Sequence, residues 1–194
     1  MNRLERTLSH NDIYLFGPMG SGKTTLVDNL KDDCLESVNY VSIGAIIRQK
    51  LAQKDAEATR IIRSGKKMPL AYVTATIEPY VSTEKSYILD GVPRHADEAE
   101  WIKRHADKRE MGALAVVLYA NTDILLQRIY DRARNGDRKE TSERIRNRLS
   151  VYQDNINKII DIIEPSLDEI IEIDATVSSE AVYAKAKHEL ETLS

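Results

Sequence analysis

The sequence predicts an α/β fold in which a five-stranded parallel sheet is covered by helices on both faces. Two observations favour this class. The 194 residues are 42% hydrophobic, enough to bury the core of a single domain over residues 1–194. Short apolar runs alternate with segments of helical periodicity, an order typical of parallel strands joined by helices. The predicted strands are Ile13 to Phe16, Tyr40 to Ile43, Tyr87 to Leu89, Leu114 to Tyr119 and Ile170 to Ile173.

The helical segments include one long helix and two candidate inserts. Apolar residues recur at steps of three or four from Thr141 to Ile163, which predicts a helix over that range. The polar helical region Ala45 to Thr83 is longer than a simple crossover needs and is interrupted by a turn at Gly65 to Pro69. The charged stretch Ala133 to Thr141 contains an Asn-Gly pair, which is typical of a turn. We expect these last two regions to be inserts in a three-layer domain.

Composition and charge exclude several function classes. The formal net charge of -3 leaves the chain without the basic excess that holds a nucleic-acid backbone. The most apolar stretch, Ala113 to Ala120, is too short to span a bilayer, and Met1 to Asn11 holds no apolar run of the secretory kind. The one cysteine, Cys34, allows no intramolecular disulfide. We therefore expect a cytoplasmic protein with neither nucleic-acid nor membrane partners.

A glycine-rich loop follows the first predicted strand and precedes a helix. Its sequence, Gly17 to Thr24, has the spacing of the P-loop, whose backbone N–H groups surround phosphate oxygens at the start of the next helix. Lys23 would bridge the β- and γ-phosphates of ATP, and the Thr24 hydroxyl would ligate Mg²⁺. The predicted nucleotide-binding residues of this loop are Gly17, Met19, Gly20, Ser21, Gly22, Lys23, Thr24 and Thr25.

A second motif ends the third predicted strand. Asp90 stands at the carboxyl end of that strand, and ligands collect at this edge of open α/β sheets. A carboxylate there would hold Mg²⁺ or its waters, so Asp90 joins Thr24 as a candidate metal ligand. The alternative is that Asp90 caps a helix or a turn.

The segment Leu89 to Arg94 resembles the Leu-Asp-Gly-Phe-Pro-Arg signature of the adenylate kinase family of nucleoside monophosphate kinases, with Val in place of Phe. The resemblance covers nearly the whole chain. Ser42 to Arg48 is similar to the segment that opens the family's monophosphate-binding insert, and Gly65 to Pro69 is similar to the turn of that insert. The resemblance implies transfer of the ATP γ-phosphoryl to a nucleoside monophosphate, AMP first, by a monomer. It also implies a monophosphate-binding insert at 42–71 and a short lid at 133–141 without zinc.

The resemblance further implies which residues form the site. Arg48 and Arg94 would clamp the acceptor phosphate, while Ala175 leads into the loop that cups the adenine of ATP. Arg128 and Arg132 are four residues apart on a predicted helix, so both should point the same way. Arginine suits phosphate because its planar, permanently charged fork grips two oxygens. The implied catalytic residues are Lys23, Arg94, Arg128, Arg132, Arg138 and Arg148, and Arg128 and Ala175 would also contact ATP. The implied acceptor-binding residues are Ser42, Gly44, Arg48, Met68, Gly91, Arg94 and Glu98.

The chain departs from the family pattern on the acceptor side and in the lid. Ala45 replaces an aspartate, Leu70 stands in a turn that usually carries aspartate, and Lys139 and Glu140 replace an Asp-Asp pair. These departures leave GMP, UMP and CMP open as acceptors. A P-loop kinase with a non-nucleotide acceptor and an inactive nucleotide-binding protein are the alternatives from other classes.

Glu98 stands where adenylate kinases read adenine with a glutamine. An ionised carboxylate only accepts hydrogen bonds, so it suits the two adjacent donors of guanine and conflicts with the N1 lone pair of adenine and with the N3 lone pair of cytosine. A protonated Glu98 would serve adenine, but an exposed glutamate does not hold its proton at neutral pH without burial. The alternative is a solvated helix residue beside Glu100.

Overall fold

The computed structural model describes residues 1–34, 38–64, 66–134 and 141–193, with a five-stranded sheet at the centre. The strands are β1 (Asn11–Phe16), β2 (Asn39–Ser42), β3 (Tyr87–Asp90), β4 (Gly112–Tyr119) and β5 (Glu169–Asp174). Across the sheet they lie in the order β2-β3-β1-β4-β5, and every neighbouring pair is parallel. The parallel sheet predicted from the sequence is confirmed.

Helices surround this sheet. They are α1 (Arg3–His10), α2 (Lys23–Cys34), α3 (Ile43–Ala52), α4 (Ala56–Ser64), α5 (Leu70–Val81), α6 (Ala96–Ala106), α7 (Thr122–Arg134), α8 (Ser142–Ile163) and α9 (Ser179–Thr192). A 3₁₀ turn, Glu164–Ser166, follows α8. None of the helices in the described parts of the chain is both long and apolar enough to cross a bilayer.

Strand side chains alternate between the two faces of the sheet and fill a core on each. Ile13 and Leu15 pack with residues of α1, α2 and α9 on one face. Tyr14 and Phe16 pack with residues of α5, α6 and α8 on the other face. Because both faces are buried, the strands read as continuous apolar runs, which is the pattern expected of a covered parallel sheet. The three-layer architecture is therefore confirmed.

Two boundaries differ from the predicted ones because a hydroxyl caps a helix. The predicted strand Tyr40 to Ile43 ends at Ser42, whose Oγ accepts a hydrogen bond from the Ala45 backbone N–H at 3.4 Å. Ile43 is consequently the first residue of α3. The predicted long helix begins one residue late because Thr141 is its N-cap. Both residue types are among the preferred N-caps.

Helix α1 is not among the elements that the sequence predicts. A capping box holds its first turn, since Asn2 Oδ1 accepts from the Glu5 N–H at 2.8 Å and Glu5 Oε2 accepts from the Asn2 N–H at 2.7 Å. Leu4 and Leu8 are fully buried against the sheet. The spacing of Asn2 and Glu5 was the available sequence signal for this helix.

The structure describes the two predicted inserts to different extents. The region 42–71, predicted as the monophosphate-binding insert, contains α3, α4 and the beginning of α5. Of the predicted lid, 133–141, only 133, 134 and 141 belong to the described residues. The functions of both regions stay predictions.

Candidate active site

The glycine-rich loop joins β1 to α2 along a backbone path that requires glycine. Gly20 and Gly22 have φ of +85° and +93°, in the left-handed region that other residues rarely adopt. A Cβ added at Gly17 would lie 2.6 Å from Ser21 Oγ, well inside van der Waals contact. The conformation of the loop thus depends on the glycines that define the motif.

Lys23 is the first residue of α2, and its ammonium group folds back over this loop. Its Nζ donates to the carbonyl oxygens of Gly17 at 2.6 Å and Pro18 at 3.1 Å. Burial lowers the pKa of Lys23 to about 8, and the negative charge of Asp90 only partly offsets that effect. The cations that lower the pKa further are Arg94, Arg148 and Arg132. An anion bound among these groups would relieve their mutual repulsion.

Asp90 ends β3 beside β1 and presents a carboxylate that is only half satisfied. Its Oδ2 accepts hydrogen bonds from Tyr40 Oη at 3.0 Å and from Ser42 Oγ at 3.3 Å. Its Oδ1 is buried and has no hydrogen-bond partner among the described residues. The residue as a whole is 7% exposed, so the bare oxygen carries a desolvation cost that a ligand would remove.

This donor set fits Mg²⁺. A carboxylate oxygen of Asp90 and the exposed hydroxyl of Thr24 line the same cleft, and Mg²⁺ prefers oxygen ligands. In the parts of the chain that the structure describes, no three His, Cys, Asp or Glu side chains group closely enough to hold a metal alone. A magnesium ion here would therefore take its other ligands from nucleotide phosphates and water.

The cleft has a volume of about 370 Å³ and gathers most of the predicted site residues. The predicted phosphate-loop residues that line it are Gly17, Met19, Gly20, Gly22, Lys23, Thr24 and Thr25. All seven residues predicted for the acceptor line it too, namely Ser42, Gly44, Arg48, Met68, Gly91, Arg94 and Glu98. The two predicted substrate sites are thus parts of one continuous cavity.

The predicted catalytic arginines divide between this cleft and a neighbouring one of about 300 Å³. Arg132 lines both clefts, whereas Arg148 lines the first. Arg128 lines the second, where its Nη1 donates to the Ala175 carbonyl oxygen at 2.6 Å and its Nη2 to that of Val177 at 3.0 Å. Arg128 and Arg132 share the second cleft, as their spacing predicts. Arg138 lies outside the described residues.

The second cleft extends the phosphate loop toward the end of β5. It is lined by Gly20, Ser21, Gly22, Thr25, Leu26, Arg128, Arg132, Val177, Ser178, Ser179 and Val182. Ser21 reaches this cleft and not the first, and Ala175 meets it through its carbonyl contact with Arg128. The arrangement suits a nucleoside attached to phosphates held by the loop.

Arg94 is held at the cleft by a turn that depends on Gly91. Gly91 has a φ of +85°, and its carbonyl oxygen accepts from Arg94 Nε at 2.7 Å. A Cβ at Gly91 would approach Arg94 Nη2 to 3.2 Å and Ile43 Cγ2 to 3.3 Å. Desolvation in the cleft, and then the charge of Arg148, lowers the pKa of Arg94. This guanidinium is therefore oriented by a carbonyl oxygen, and no carboxylate of the described residues forms a salt bridge with it.

Glu98 is buried, and the interpretation of it as a solvated helix residue is wrong. Only 3% of the residue is exposed, because it stands at the third position of α6 and its carboxylate turns back toward the preceding turn. Its Oε2 accepts a hydrogen bond from the Arg94 backbone N–H at 2.7 Å. Burial raises the pKa of Glu98 above its usual value, and that hydrogen bond and the Arg94 charge counteract the rise in part.

Residues 15–167 match the family model described as adenylate kinase. The chain belongs to the adenylate kinase family. It is 31% identical over 183 residues to the adenylate kinase of Rhodococcus erythropolis, with 90% of this chain and 96% of that protein covered. It is 30% identical over 181 residues to the adenylate kinase of a Mycobacterium species, with the same shares covered. The UMP-CMP kinase of Lentinula edodes is 27% identical over 195 residues, covering 90% of this chain and 83% of that protein.

A solved structure shows a similar fold. The crystal structure of a gluconokinase from Sinorhizobium meliloti superposes with a TM-score of 0.63 at 15% sequence identity, covering 95% of this chain and 93% of that one. At that identity the likeness concerns the fold alone. The architecture of this adenylate kinase family member is therefore shared with a small-molecule kinase.

Two contacts of this adenylate kinase family member were missed from its sequence. Tyr40 donates its hydroxyl to Asp90, and the strand period, which places Tyr40 and Ser42 on one face of β2, was the available signal. Lys67 Nζ lies 2.5 Å from Asp97 Oδ1 and 2.6 Å from Oδ2, joining the turn before α5 to the first turn of α6. No local sequence pattern predicts this second contact, because Lys67 and Asp97 are thirty residues apart.

Proposed function

We propose that this protein is a nucleoside monophosphate kinase that transfers the γ-phosphoryl of ATP to AMP with Mg²⁺ bound. The observation that carries the proposal is the single cleft in which Lys23, Arg132, Arg148 and Arg94 meet beside the half-satisfied carboxylate of Asp90. Phosphoryl transfer between two nucleotides brings several negative charges together and needs such fixed cations. We further propose that the enzyme is a cytoplasmic monomer.

The donor side is assigned to the phosphate loop. Lys23 would exchange its contacts with the loop carbonyls for the β- and γ-phosphates, because those oxygens are better acceptors for an ammonium ion. Thr24 and Asp90 would hold Mg²⁺, which supplies charge neutralisation on the phosphates when bound. Arg128 and the loop after β5 would flank the adenosine.

The acceptor side is assigned to Arg48 and Arg94. The hydrogen bond from Arg94 Nε to the Gly91 carbonyl oxygen orients the guanidinium. Its two terminal nitrogens, Nη1 and Nη2, would then donate to the acceptor phosphate. A Cβ at Gly44 would lie 3.2 Å from Arg48 Nη1, which shows that this guanidinium rests against the start of α3. Two guanidinium forks at one end of the cleft suit a monophosphate dianion. The acceptor phosphate is itself an anionic nucleophile, so no general base is required.

The burial of Glu98 supports AMP. Desolvation favours the protonated carboxyl, as its raised pKa indicates. A protonated carboxyl has one donor and one acceptor, and adenine offers N1 as an acceptor and its exocyclic amine as a donor. Guanine offers two adjacent donors, N1–H and the 2-amino group, which suit the ionised form. The burial of Glu98 thus weakens the main objection to AMP, which is the contact between an ionised carboxylate and the N1 lone pair.

CMP is a second candidate, favoured by the likeness to a UMP-CMP kinase. Cytosine pairs a ring-nitrogen acceptor, N3, with an exocyclic amine, so a protonated Glu98 would meet it in the same way as adenine. Uracil presents a donor at N3–H and an acceptor at O4, and a carboxyl with its proton on the other oxygen meets that order too. The carboxyl alone therefore does not distinguish CMP from UMP.

The test is an ADP-production assay with purified protein, ATP, Mg²⁺ and a panel of AMP, CMP, GMP, UMP and gluconate. We expect AMP to give the highest kcat/KM and gluconate to give none. A ranking led by CMP or GMP would replace AMP as the acceptor while keeping the reaction class. Absence of ADP with every monophosphate would contradict the kinase assignment and favour an inactive nucleotide-binding protein.

A further inference from the structure

Asp90 uses its two oxygens differently. Oδ2 is saturated by two hydroxyl donors, from Tyr40 and Ser42, whereas Oδ1 is buried without a partner among the described residues. Both donors are neutral groups, so they fix the carboxylate while leaving its full negative charge. An arginine or lysine in their place would fix it equally well and cancel the charge that a cation needs.

The Tyr40 contact follows from the register of the sheet. In the parallel pair of β2 and β3, Tyr40 lies opposite Ile88 and Ser42 lies opposite Asp90. Tyr40 and Ser42 face the same side of the sheet, and the length of the phenol lets Tyr40 reach the Asp90 carboxylate diagonally.

The ring of Tyr40 is itself fixed from the helix that follows the phosphate loop. Lys31 Nζ, on α2, lies 4.4 Å from the centroid of the Tyr40 ring, a cation–π contact. The ring also packs against the apolar cluster between the sheet and α2. Tyr40 therefore couples the position of Asp90 to the same helix that carries Lys23 and Thr24.

We propose that Tyr40 is a positioning residue for the magnesium site, holding Asp90 by Oδ2 so that Oδ1 is presented to the metal. The inference rests on the proposed function, which assigns Mg²⁺ to Asp90 and Thr24. Outer-shell donors of this kind orient metal ligands and commonly change metal affinity by an order of magnitude or more when removed.

The test uses Tyr40→Phe, which deletes the hydroxyl and keeps the ring over which Lys31 lies. Binding of the non-hydrolysable analogue AMP-PNP is measured by calorimetry with and without Mg²⁺. We expect the affinity gained from Mg²⁺ to fall about tenfold in the variant. Metal-free affinity should stay within about twofold of wild type and the melting temperature within about 2 °C, because only one partly exposed hydroxyl is lost.

A matched control is Tyr183→Phe. Tyr183 also donates its hydroxyl to an aspartate, Asp33, and its ring also lies near a lysine, Lys187, at 5.8 Å. Asp33 belongs to the last turn of α2, at the opposite end of that helix from the phosphate loop. This variant should keep the full magnesium gain.

An Asp90→Asn variant separates failure of the inference from failure of the proposed function. If Asp90→Asn lowers the magnesium gain and Tyr40→Phe leaves it unchanged, Tyr40 does not position the ligand and the inference is wrong. If neither variant lowers it, the assignment of the metal to Asp90 is wrong, and the inference falls with it. An equal loss of metal-free and metal-bound affinity in Tyr40→Phe would identify a general structural role and would also overturn the inference.

Discussion

Two buried aspartates at opposite ends of the sheet show how differently one residue type is used. Asp12, at the start of β1, is 1% exposed, and both of its carboxylate oxygens accept hydrogen bonds. The Nε–H of Arg109 donates to Oδ2, and the Nη2 group of Arg109 donates to Oδ1 at 3.0 Å. The backbone N–H of Tyr87 also donates to Oδ1, at 3.3 Å. Asp90, at the end of β3, has no hydrogen-bond partner for its Oδ1 in the part of the chain that the structure describes. The remaining Arg109 donors bind the carbonyl oxygens of Val81, Thr83 and Lys85.

The cations near these two aspartates also differ in how far their charge is neutralised. Arg109 is neutralised by Asp12 and lies 5.0 Å from the Tyr87 ring centroid. In the cleft, Lys23 has a pKa lowered to about 8, and its neighbouring arginines add to that shift. The polar groups around Asp12, at the amino end of β1, are saturated and structural, and we propose that the polar groups around Asp90, at the carboxyl end of β3, are completed by a charged ligand. Substitutions at these groups test this division.

Replacing Lys23 with Ala should lower kcat roughly 1000-fold, because it removes the cation expected to stabilise the transferring phosphoryl group. The unfolding free energy should not fall, since a desolvated ammonium with a lowered pKa costs stability in the folded protein. Steady-state assays and urea denaturation provide the two measurements. The exposed Lys185 on α9 serves as control, and Lys185→Ala should leave kcat unchanged. Turnover of Lys23→Ala within tenfold of wild type would refute the phosphate-loop assignment.

Replacing Arg109 with Met should lower the unfolding free energy and leave kcat nearly unchanged. The substitution leaves the buried carboxylate of Asp12, a residue that is 1% exposed, without its charged partner. It should therefore lower the unfolding free energy by about 3 kcal/mol. Measured well below the transition, kcat should stay within about twofold of wild type, because the pair lies at the far end of the sheet from the cleft. Arg104, whose side chain is 59% exposed, is the control, and Arg104→Met should cost about 0.5 kcal/mol or less. A comparable cost for both variants would contradict the structural role of the pair.

Replacing Arg94 with Ala should raise the KM for the acceptor roughly 10- to 100-fold, the worth of one charge-assisted contact with phosphate. The KM for ATP serves as the internal control and should change little, because Arg94 is assigned to the acceptor end of the cleft. Initial rates with each substrate varied in turn give both constants. If the two rise together, Arg94 does not distinguish the acceptor from ATP.

Replacing Glu98 with Gln should raise the AMP to GMP ratio of kcat/KM by roughly tenfold at pH values where the carboxyl is ionised, the scale of one polar contact. The amide carries at all pH values the donor and acceptor that the carboxyl offers only when protonated. Because burial raises the pKa of Glu98, the wild-type kcat/KM for AMP should fall as pH rises through that pKa, and that of the variant should fall less. Glu100→Gln, at an exposed site on the same helix, is the control. A ratio unchanged by Glu98→Gln would mean that Glu98 does not touch the base.

The pH dependence of the unfolding free energy, compared between the wild type and Glu98→Gln, gives an independent test of the protonation of Glu98. Because burial raises the pKa of Glu98 above 4.5, the folded state holds this proton more tightly than the unfolded chain does. The unfolding free energy of the wild type should therefore fall relative to Glu98→Gln as pH rises above about 4.5. Urea denaturation at pH 4.5 and pH 8 measures the difference. A gap that does not widen with pH would show that ionising Glu98 costs the fold nothing.

Much of the fold was predictable because its signals are local. The strand β1, the glycine-rich loop and the start of α2 each follow from adjacent residues, as does the helix capped by Thr141. What the sequence could not supply was burial set by distant contacts. Glu98 looks like an exposed member of a charged helix, yet the cleft wall covers it.

The site shows the same limit. The spacing of Gly17 to Lys23 predicts a phosphate loop, and the structure brings the seven predicted acceptor residues to the adjoining cleft. The support given to Asp90 by Tyr40 depends on the register of two strands fifty residues apart, which no single segment encodes. Local chemistry therefore identifies the groups that act, and tertiary structure decides which groups hold them in place.

The ion pair between Lys67 and Asp97 is a weak link between two segments on the proposed acceptor side of the cleft. It ties the turn before α5 to the start of α6, and both side chains remain about two-fifths exposed, at 41% and 42%. An exposed pair of this kind contributes about 1 kcal/mol at most, which biases an equilibrium between joined and separated arrangements by a factor of roughly five. Dissolved salt weakens such a bias, because the Debye length at physiological ionic strength is about 8 Å. The ion pair therefore holds the two segments together only weakly, and added salt should weaken it further.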